Sequence, residues 1–310
     1  MKIVVLDSDT LGDLDLTPLK KYGELKIYPY TKYEETINRC KDADIVLTNK
    51  VVFDKDILDA LPNLKLISVL ATGMNNIDLE YAKAKGVIVK NVSGYSTNSV
   101  VQTTFMLALA LIGRLKYYDE YVKSGAWSKS PIFTNLEQNF FEIAGKKWGI
   151  IGLGTIGKKV ADVAKAFGAE VVYYSTNKNP HSKEYKHLNL NELLKSCDII
   201  SIHAPLNENT KNLLGKDELE LLKSNAVLLN LGRGGIIDEE ALAKAIDKKD
   251  ILVGLDVTKK EPIEENNPLL KVKKQDNIII TPHIAWGSIE ARERLLEGTI
   301  KNIEDFLNGR

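Results

Sequence analysis

The chain has 310 residues, 44% of them hydrophobic, with 42 basic and 42 acidic side chains and therefore a formal net charge of zero. This length suggests two domains, and the neutral charge provides no attraction to nucleic acid or to an anionic membrane. No apolar run approaches the roughly 20 residues of a membrane span. The two cysteines, Cys40 and Cys197, lie far apart without metal-ligand spacing. We therefore expect reduced thiols in a cytoplasmic protein, with no nucleic acid and no membrane as partners.

The first part of the chain alternates short apolar runs with amphipathic stretches. Five runs are predicted as strands: Lys2–Asp7, Leu25–Tyr30, Asp44–Asn49, Leu64–Ala71 and Val87–Val92. Their apolar residues are mostly continuous rather than alternating, which indicates a parallel sheet covered by helices on both faces. A long helix is then predicted from about Thr97 to Ser124, closed by Gly125.

The same pattern restarts after this helix. Six more strands are predicted at Lys146–Gly154, Glu170–Ser175, Cys197–His203, Ala226–Gly232, Ile251–Val257 and Asn277–His283. The tail is one amphipathic helix ended by Gly309, which we expect to pack on the first domain. The fold class predicted is therefore α/β, with two doubly wound parallel-sheet domains.

A glycine turn follows the first strand of the second set. Gly152, Gly154 and Gly157 form G-x-G-x-x-G between this strand and a helix. The first glycine permits a tight turn, the second lets the backbone approach a pyrophosphate, and the third lets helix pack on strand. The phosphates would then face the helix N-terminus, where free N–H groups favour anions. This context predicts a dinucleotide site, although a glycine turn kept only for packing is the alternative.

The next strand should end in an acidic residue if the cofactor is NAD, because that residue binds the ribose 2′-hydroxyl. Ser175 stands there instead, followed by "TNK". Ser175, Thr176, Asn177 and Lys178 offer polar groups to a 2′-phosphate, but the stretch lacks an arginine. The cofactor is therefore predicted as NAD or NADP.

Chargeable residues collect at or just beyond the strand ends of the second domain. Arg233 lies among glycines, Asp256 lies in a strand, Glu261 follows in the next loop, and His283 ends the last strand. Each has an ordinary structural explanation: a surface cation, a turn brace, a solvated loop acid and a buried structural histidine. Together they favour a 2-keto acid site. Arginine binds a carboxylate in bidentate form, histidine transfers a proton, and a neighbouring carboxylate orients the ring.

The chain resembles the D-isomer-specific 2-hydroxyacid dehydrogenases in five ordered segments: "GLGTIGKKVA", "DIISIHAPLNENTKNLL", "AVLLNLGRGGIIDEEAL", "GLDVTKKEP" and "ITPHIAW". The likeness extends into the first domain through "LKLISVLATGMNNIDLEYAKAKGVIVKNV". The resemblance implies a flavodoxin-like substrate-binding domain at residues 1–98 plus 287–310. It also implies a Rossmann NAD(P)-binding domain at 99–286, a cleft that closes between the two, and a homodimer.

The resemblance also implies roles for individual residues. Arg233 would bind the substrate carboxylate, and His283 would be the general acid in reduction, paired with Glu261. Backbone N–H groups around Thr72 and Gly73 would bind the same carboxylate. Besides the three glycines and Ser175, the cofactor would contact Thr155, Ile156, Pro205, Leu231 and Asp256. Because His203 ends a predicted strand, we expect it to line the cofactor side without a catalytic role.

The substrate is the least determined part of the prediction. "TPHIAW" followed by "EARERL" looks most like the glycerate dehydrogenases, also named hydroxypyruvate or glyoxylate reductases. A D-lactate or branched 2-keto acid reductase is the alternative within the class. A dinucleotide-sensing, corepressor-like binding protein is the alternative outside it, because corepressors with this fold can retain the same three residues.

Overall fold

The computed structural model describes residues 1–177, 179 and 182–309. Lys178, one of the residues considered for a 2′-phosphate, lies outside the described residues. The described part of the chain divides into two compact units. Unit 1 holds Met1–Ser96 and the chain from Trp286 onwards, and unit 2 holds Thr97–Ala285. That one unit binds substrate and the other binds cofactor stays a prediction.

Unit 1 is built on a parallel sheet. Among its described residues the strands are β1 (Lys2–Val5), β2 (Glu24–Ile27), β3 (Ile45–Thr48), β4 (Leu66–Val69) and β5 (Ile88–Lys90), in the order β2-β1-β3-β4-β5. The helices between them are α1 (Thr36–Cys40), α2 (Lys55–Asp59) and α3 (Leu79–Ala84). Every residue of β3 and β4 is buried, because both faces of the sheet are covered. The predicted parallel sheet is confirmed.

Unit 2 is built on a second, larger parallel sheet. Its strands, within the described residues, are β6 (Lys147–Ile151), β7 (Glu170–Tyr174), β8 (Lys186–His187), β9 (Ile199–Ile202), β10 (Val227–Asn230), β11 (Leu252–Leu255) and β12 (Ile278–Ile280). They are ordered β12-β11-β10-β9-β6-β7-β8, with every neighbouring pair parallel. The strand order therefore reverses at β6. Ligands of such sheets bind at that switch point, outside the carboxyl ends of the strands.

The second sheet has an apolar core on each face. Side chains alternate along a strand, so Ile199 belongs to one core and Ile200 to the other. Trp148 is fully buried on the Ile199 side, and its indole Nε1–H donates to Ser201 Oγ at 2.9 Å. Covering both faces explains why the strands of this sheet are continuously apolar.

The long helix predicted from Thr97 to Ser124 is wrong as a single element. The structure has two helices, α4 (Thr97–Ile112) and α5 (Leu115–Lys123). The break falls at Gly113 and at Arg114, which has a left-handed φ of 51°. Glycine is a poor helix former, and the Arg114 guanidinium donates to Asn277 Oδ1 at 2.8 Å. The break therefore combines a poor helix former, Gly113, with a tertiary hydrogen bond from Arg114.

No single helix in the described residues is long and apolar enough to cross a membrane. Within the part of the chain that the structure describes, one pair of helices, α4 and α5, meets the requirements of length and composition when taken together across a 60° bend.

The remaining helices are α6 (Thr155–Ala166), α7 (Leu190–Ser196), α8 (Lys216–Glu220), α9 (Glu239–Lys248) and α10 (Ile289–Leu307). The last of them, α10, belongs to unit 1. It begins after Ser288, whose Oγ accepts a hydrogen bond from Ala291 N at 3.3 Å. Asn302 Nδ2 donates to Ser68 Oγ at 3.1 Å and to Asn91 O at 3.0 Å. These bonds fasten the terminal helix to the β4 and β5 region of the sheet.

Candidate active site

The glycine turn between β6 and α6 has the geometry that a pyrophosphate needs. Gly152 has a φ of 92°, and a Cβ there would lie 3.0 Å from the Ala204 backbone. A Cβ at Gly157 would overlap the Gly152 carbonyl oxygen, so only glycine lets α6 pack this closely. By contrast, no described atom lies within 4 Å of a Cβ built on Gly154, the residue that precedes α6. The backbone at the helix N-terminus is therefore open to a ligand, and the three glycines fit a dinucleotide.

The other residues predicted to contact the cofactor differ in what their side chains do. Thr155 and Ile156 are the first two residues of α6. Pro205 is exposed, and its carbonyl accepts a hydrogen bond from Thr210 Oγ1 at 2.6 Å. The Leu231 side chain is buried in the apolar core that Ile156 also packs against. Their contacts with a cofactor stay a prediction.

His203 lies beside the glycine turn, in the chain position just before the Ala204 that touches Gly152. Its backbone N–H donates to Ile151 O at 2.9 Å. Both ring nitrogens are buried, and neither has a hydrogen-bond partner within the described part of the chain. Burial lowers the pKa of His203 to about 3, so the ring is neutral at pH 7. An orphaned buried imidazole at this edge also fits the approach of a polar ligand.

The neutral state of His203 should make stability depend on pH. Its pKa is about 3 in the folded protein and about 6.5 in an unfolded chain. Between these values the unfolded chain binds the extra proton, so stability falls as the pH drops from 6.5, by up to about 1.4 kcal/mol per pH unit. His203→Leu should remove the part of this pH-dependent loss of stability that comes from His203. Urea unfolding gives the free energy of unfolding of the wild type and of the variant at pH 7 and pH 5. If this free energy falls by the same amount in both proteins between pH 7 and pH 5, His203 is not the cause.

The loop after β10 holds Arg233 at the carboxyl edge of the sheet. Asn230, which is 2% exposed, fixes this loop from both sides. Its Nδ2 donates to Arg233 O at 2.9 Å, and its Oδ1 accepts from Gly232 N at 3.1 Å. A Cβ at Gly234 would overlap the Thr258 carbonyl, so the loop after β10 lies directly on the loop after β11. Gly234 beside Arg233 therefore serves the close packing of these two loops.

The loops after β11 and β12 meet in a hydrogen-bonded pair of Glu261 and His283. The ring Nδ1 of His283 lies 2.6 Å from Glu261 Oε2, and Thr258 N donates to Glu261 Oε1 at 3.2 Å. An ionised carboxylate can only accept, so Nδ1 carries a proton and Nε2 is the nitrogen left for chemistry. The His283 side chain is 24% exposed, which leaves the ring accessible to a substrate.

Asp256 anchors the loop that presents His283. One carboxylate oxygen accepts from Thr281 Oγ1 at 2.6 Å and Ile284 N at 2.9 Å, and the other accepts from Ala285 N at 2.9 Å. The backbone N–H of His283, whose φ is 54°, donates to Asp256 O at 2.9 Å. Burial raises the pKa of the Asp256 carboxyl, against the effect of these hydrogen bonds. The turn-brace alternative therefore describes the contacts of Asp256, and its contact with a cofactor stays a prediction.

Thr72 and Gly73 lie in unit 1, in the loop after β4. Thr72 Oγ1 donates to Val92 O at 3.1 Å, and Asn91 Nδ2 donates to Thr72 O at 2.5 Å. Asn76 Nδ2 crosses to Val51 O at 2.9 Å. These bonds fix the loop at the carboxyl edge of its own sheet. Its role in binding the substrate carboxylate stays a prediction.

The end of β7 carries a hydroxyl where a carboxylate was expected for NAD. Ser175 is 2% exposed, and its Oγ donates to Asn177 Oδ1 at 2.6 Å. The same Oδ1 accepts from Asn179 N at 3.1 Å. The turn is therefore closed by an asparagine side chain. Neither Ser175 nor Asn177 brings a negative charge to the end of this strand.

Together these parts define a class of protein. A glycine turn at a helix N-terminus, at the switch point of a parallel sheet, is the usual site of a dinucleotide. An arginine and a histidine–carboxylate pair at the same edge suit hydride transfer to and from a 2-keto or 2-hydroxy acid. The fold and site thus indicate a dinucleotide-dependent oxidoreductase.

Comparison with known proteins assigns the family. Residues 105–285 match the family described as "D-isomer specific 2-hydroxyacid dehydrogenase, NAD binding domain". A hydroxypyruvate reductase from Blautia hydrogenotrophica is 39% identical over 100% of this chain and 98% of its own. A glyoxylate reductase from Thermococcus litoralis is 34% identical over 100% and 95%. The crystal structure of a D-lactate dehydrogenase from Aquifex aeolicus, complexed with NAD and lactic acid, is 29% identical, with a TM-score of 0.87 over 100% and 96%.

The chain belongs to the D-isomer-specific 2-hydroxyacid dehydrogenases. It is a nicotinamide-dinucleotide-dependent oxidoreductase of small 2-hydroxy and 2-keto acids. The expected family and the two-sheet α/β fold are confirmed, and the enzyme is favoured over the corepressor-like alternative.

Proposed function

We propose that this enzyme reduces hydroxypyruvate or glyoxylate to the corresponding 2-hydroxy acid. The observation that carries the proposal is the 2.6 Å contact between His283 Nδ1 and Glu261 Oε2. This pair lies in the loop network that also packs against the Arg233 loop through Thr258. The names of the two relatives above support these substrates. From the protein, both substrates need a cation that binds the carboxylate and a group that donates a proton to the keto oxygen.

The reduced cofactor, when bound, supplies a hydride to the keto carbon of the substrate. The guanidinium of Arg233 binds the substrate carboxylate and fixes the orientation of the neighbouring carbonyl. The protonated ring of His283 gives its Nε2 proton to the carbonyl oxygen as the C=O bond becomes C–OH. The carboxylate of Glu261 accepts a hydrogen bond from Nδ1–H and holds the orientation of the ring, so that Nε2 faces the substrate. In oxidation His283 takes the hydroxyl proton back.

The proposal is tested by the loss of reduced-cofactor absorbance with a panel of 2-keto acids. We expect the highest kcat/KM with hydroxypyruvate or glyoxylate, and lower values with pyruvate and a branched 2-keto acid. A 3-keto acid is the matched control, because its carboxylate is one carbon too far from the carbonyl, and it should not react. A preference for pyruvate or the branched acid would replace the proposal by the D-lactate or branched-acid alternative. No turnover with any member would reject the proposed reaction.

We propose that the enzyme accepts NADPH as well as NADH. Ser175 supports this, because a carboxylate at the end of β7 would repel a 2′-phosphate. The same panel is therefore run with both cofactors and repeated with Ser175→Asp. The variant should lower kcat/KM for NADPH relative to NADH by about tenfold or more, the scale of a like-charge contact. An unchanged ratio would place the discrimination elsewhere.

We also propose that the enzyme is a cytoplasmic homodimer. Both thiols are buried, and burial raises the pKa of Cys40 to about 12 and that of Cys197 to about 11. Such thiols are protonated and unreactive at neutral pH, which suits a reducing compartment. A net charge of zero puts no electrostatic obstacle between two copies.

A further inference from the structure

Unit 1 has a switch point of its own, at the carboxyl ends of β1 and β3. Its strand order is β2-β1-β3-β4-β5, so the chain leaves β1 toward one edge of the sheet and leaves β3 toward the other. Open parallel sheets with this order bind ligands in the crevice where the two connections part. The residues that follow β1 and β3 are therefore candidates for a role in binding.

Asp7 follows β1 and is buried at this switch point, with 3% of its surface exposed. Its carboxylate accepts hydrogen bonds from two consecutive backbone N–H groups of the chain after β3. Asn49 N donates to Oδ1 at 2.9 Å, and Lys50 N donates to Oδ2 at 2.7 Å. The Thr48 hydroxyl, 3.4 Å from Oδ2, is a third donor. One buried carboxylate therefore fixes the start of residues 49–53, which are here called the β3 loop.

The protein keeps the Asp7 carboxylate at a cost in stability. Burial raises the pKa of this carboxyl, because a charge is less stable inside the protein than in water. Asp256 is arranged in the same way: burial raises the pKa of its carboxyl, and it accepts from the consecutive N–H groups of Ile284 and Ala285. Asp256 thereby holds the loop of His283, the proposed proton donor. The same arrangement at Asp7 indicates that the β3 loop is also held for a function.

The β3 loop is joined in turn to the loop after β4, residues 72–77, here called the β4 loop. Asn76 Nδ2 donates to Val51 O at 2.9 Å, and Phe53 N donates to Asn76 O at 2.8 Å. The two residues predicted to bind the substrate carboxylate through backbone N–H groups belong to the β4 loop. Hydrogen bonds therefore connect Asp7 to the β3 loop and the β3 loop to the predicted carboxylate site.

We infer that Asp7 is a positioning residue for keto-acid binding, which holds the β3 loop so that the β4 loop offers its backbone N–H groups to the substrate carboxylate. The inference rests on the proposed function, because it assigns Asp7 to the binding of a 2-keto acid. With 3% of its surface exposed, Asp7 acts through the two loops and not by touching the substrate. Its replacement therefore weakens keto-acid binding and leaves the glycine turn of unit 2 unchanged.

The first test is Asp7→Asn, which keeps the shape of the side chain. The amide replaces one acceptor oxygen by an NH₂ donor, so one backbone N–H of the β3 loop loses its acceptor. The KM for the best keto acid of the panel should rise about tenfold, the scale of a hydrogen bond to a charged group. We expect a smaller change in kcat and an unchanged affinity for NADH. Binding of oxamate, an unreactive 2-keto acid analogue, to the enzyme–NADH complex should weaken by the same factor, measured by NADH fluorescence.

The second test, Asn76→Ala, breaks the connection at the β4 loop. This partly buried residue binds Val51, and its replacement should also raise the keto-acid KM. The double variant with Asp7→Asn should raise KM by less than the product of the two single changes, because both break one chain of contacts. Asp44→Asn is the matched control. That carboxylate accepts from Lys2 N at 2.9 Å at the opposite, amino edge of the same sheet, and its replacement should leave KM unchanged.

Circular dichroism checks that each variant is folded; where Asp7→Asn is not, Asn76→Ala carries the test, and an unchanged KM there overturns the inference. Asp7→Asn with the wild-type KM and oxamate affinity also overturns it, as does an equal rise of KM in Asp44→Asn. A double variant whose KM rises by the full product overturns the connection through Asn76. A wild-type enzyme that reduces no 2-keto acid is a failure of the proposed function, seen without any variant, so the two failures are distinguishable.

Discussion

Replacing His283 by alanine should lower kcat by about a hundredfold or more, the usual effect of removing a general acid. The ring is the group placed to give a proton to the substrate oxygen, and its Nδ1 is already engaged with Glu261 at 2.6 Å. Water can still donate a proton, so activity should fall without vanishing. Steady-state kinetics with the best keto acid of the panel measures the loss.

Two controls separate a missing proton donor from a damaged loop. The backbone N–H groups of Ile284 and Ala285 should still bind Asp256, so NADH affinity and the thermal midpoint of His283→Ala should stay near those of the wild type. Added imidazole should restore part of the activity, because it returns a proton donor of the same kind. The companion variant Glu261→Gln keeps an acceptor for Nδ1–H but lacks the negative charge. Its kcat should therefore fall less than that of His283→Ala. A His283→Ala enzyme with near-normal turnover would remove His283 from the mechanism.

Much of the fold was predictable because its signals are local. Continuous apolar runs indicated strands buried on both faces, and the glycine spacing indicated the turn after β6. The predicted strands were longer than those observed: Leu64–Ala71 became Leu66–Val69. Apolar residues flank a strand as well as form it, because the approaches to a buried strand are also buried. The hydrophobic pattern of the sequence therefore predicts that a strand is present but not the residues at which it begins and ends.

The parts that were missed depend on contacts between distant residues. Asp256 accepts from Ala285, 29 residues away, and nothing in "GLDVT" shows that both its oxygens serve the histidine loop. Asn230 clamps the Arg233 loop; its only sequence signal is a polar residue inside the apolar run "VLLNLG". The helix break at Arg114 likewise combines a weak helix former with a bond to Asn277. Sequence reasoning named Arg233, Glu261 and His283 and offered a turn brace for Asp256, whereas the partners that hold these loops came from the structure.

Arg233→Ala should raise the KM for the keto acid at least tenfold and also lower kcat. Hydrogen bonds to a charged group are worth about 1.5–3 kcal/mol, which corresponds to a loss of about ten- to hundredfold in binding. Turnover falls as well, because a substrate without its clamp spends less time with the carbonyl aligned to hydride and proton donor. The loop itself should keep its shape, since Asn230 binds the Arg233 carbonyl and not its side chain.

The changes in KM and kcat across a set of variants test whether Arg233 is the group that binds the substrate carboxylate. Arg233→Lys retains the charge but not the planar two-pronged donor, so it should fall between alanine and wild type. Lys244→Ala removes a cation from an exposed i,i+4 pair with Glu240 on α9, and it should leave both constants unchanged. NADH affinity should be equal in all three variants, because the arginine is assigned to the substrate and not to the cofactor. If Arg233→Ala leaves the keto-acid KM at the wild-type value, the carboxylate binds elsewhere, with the backbone at Thr72 and Gly73 as the next candidate.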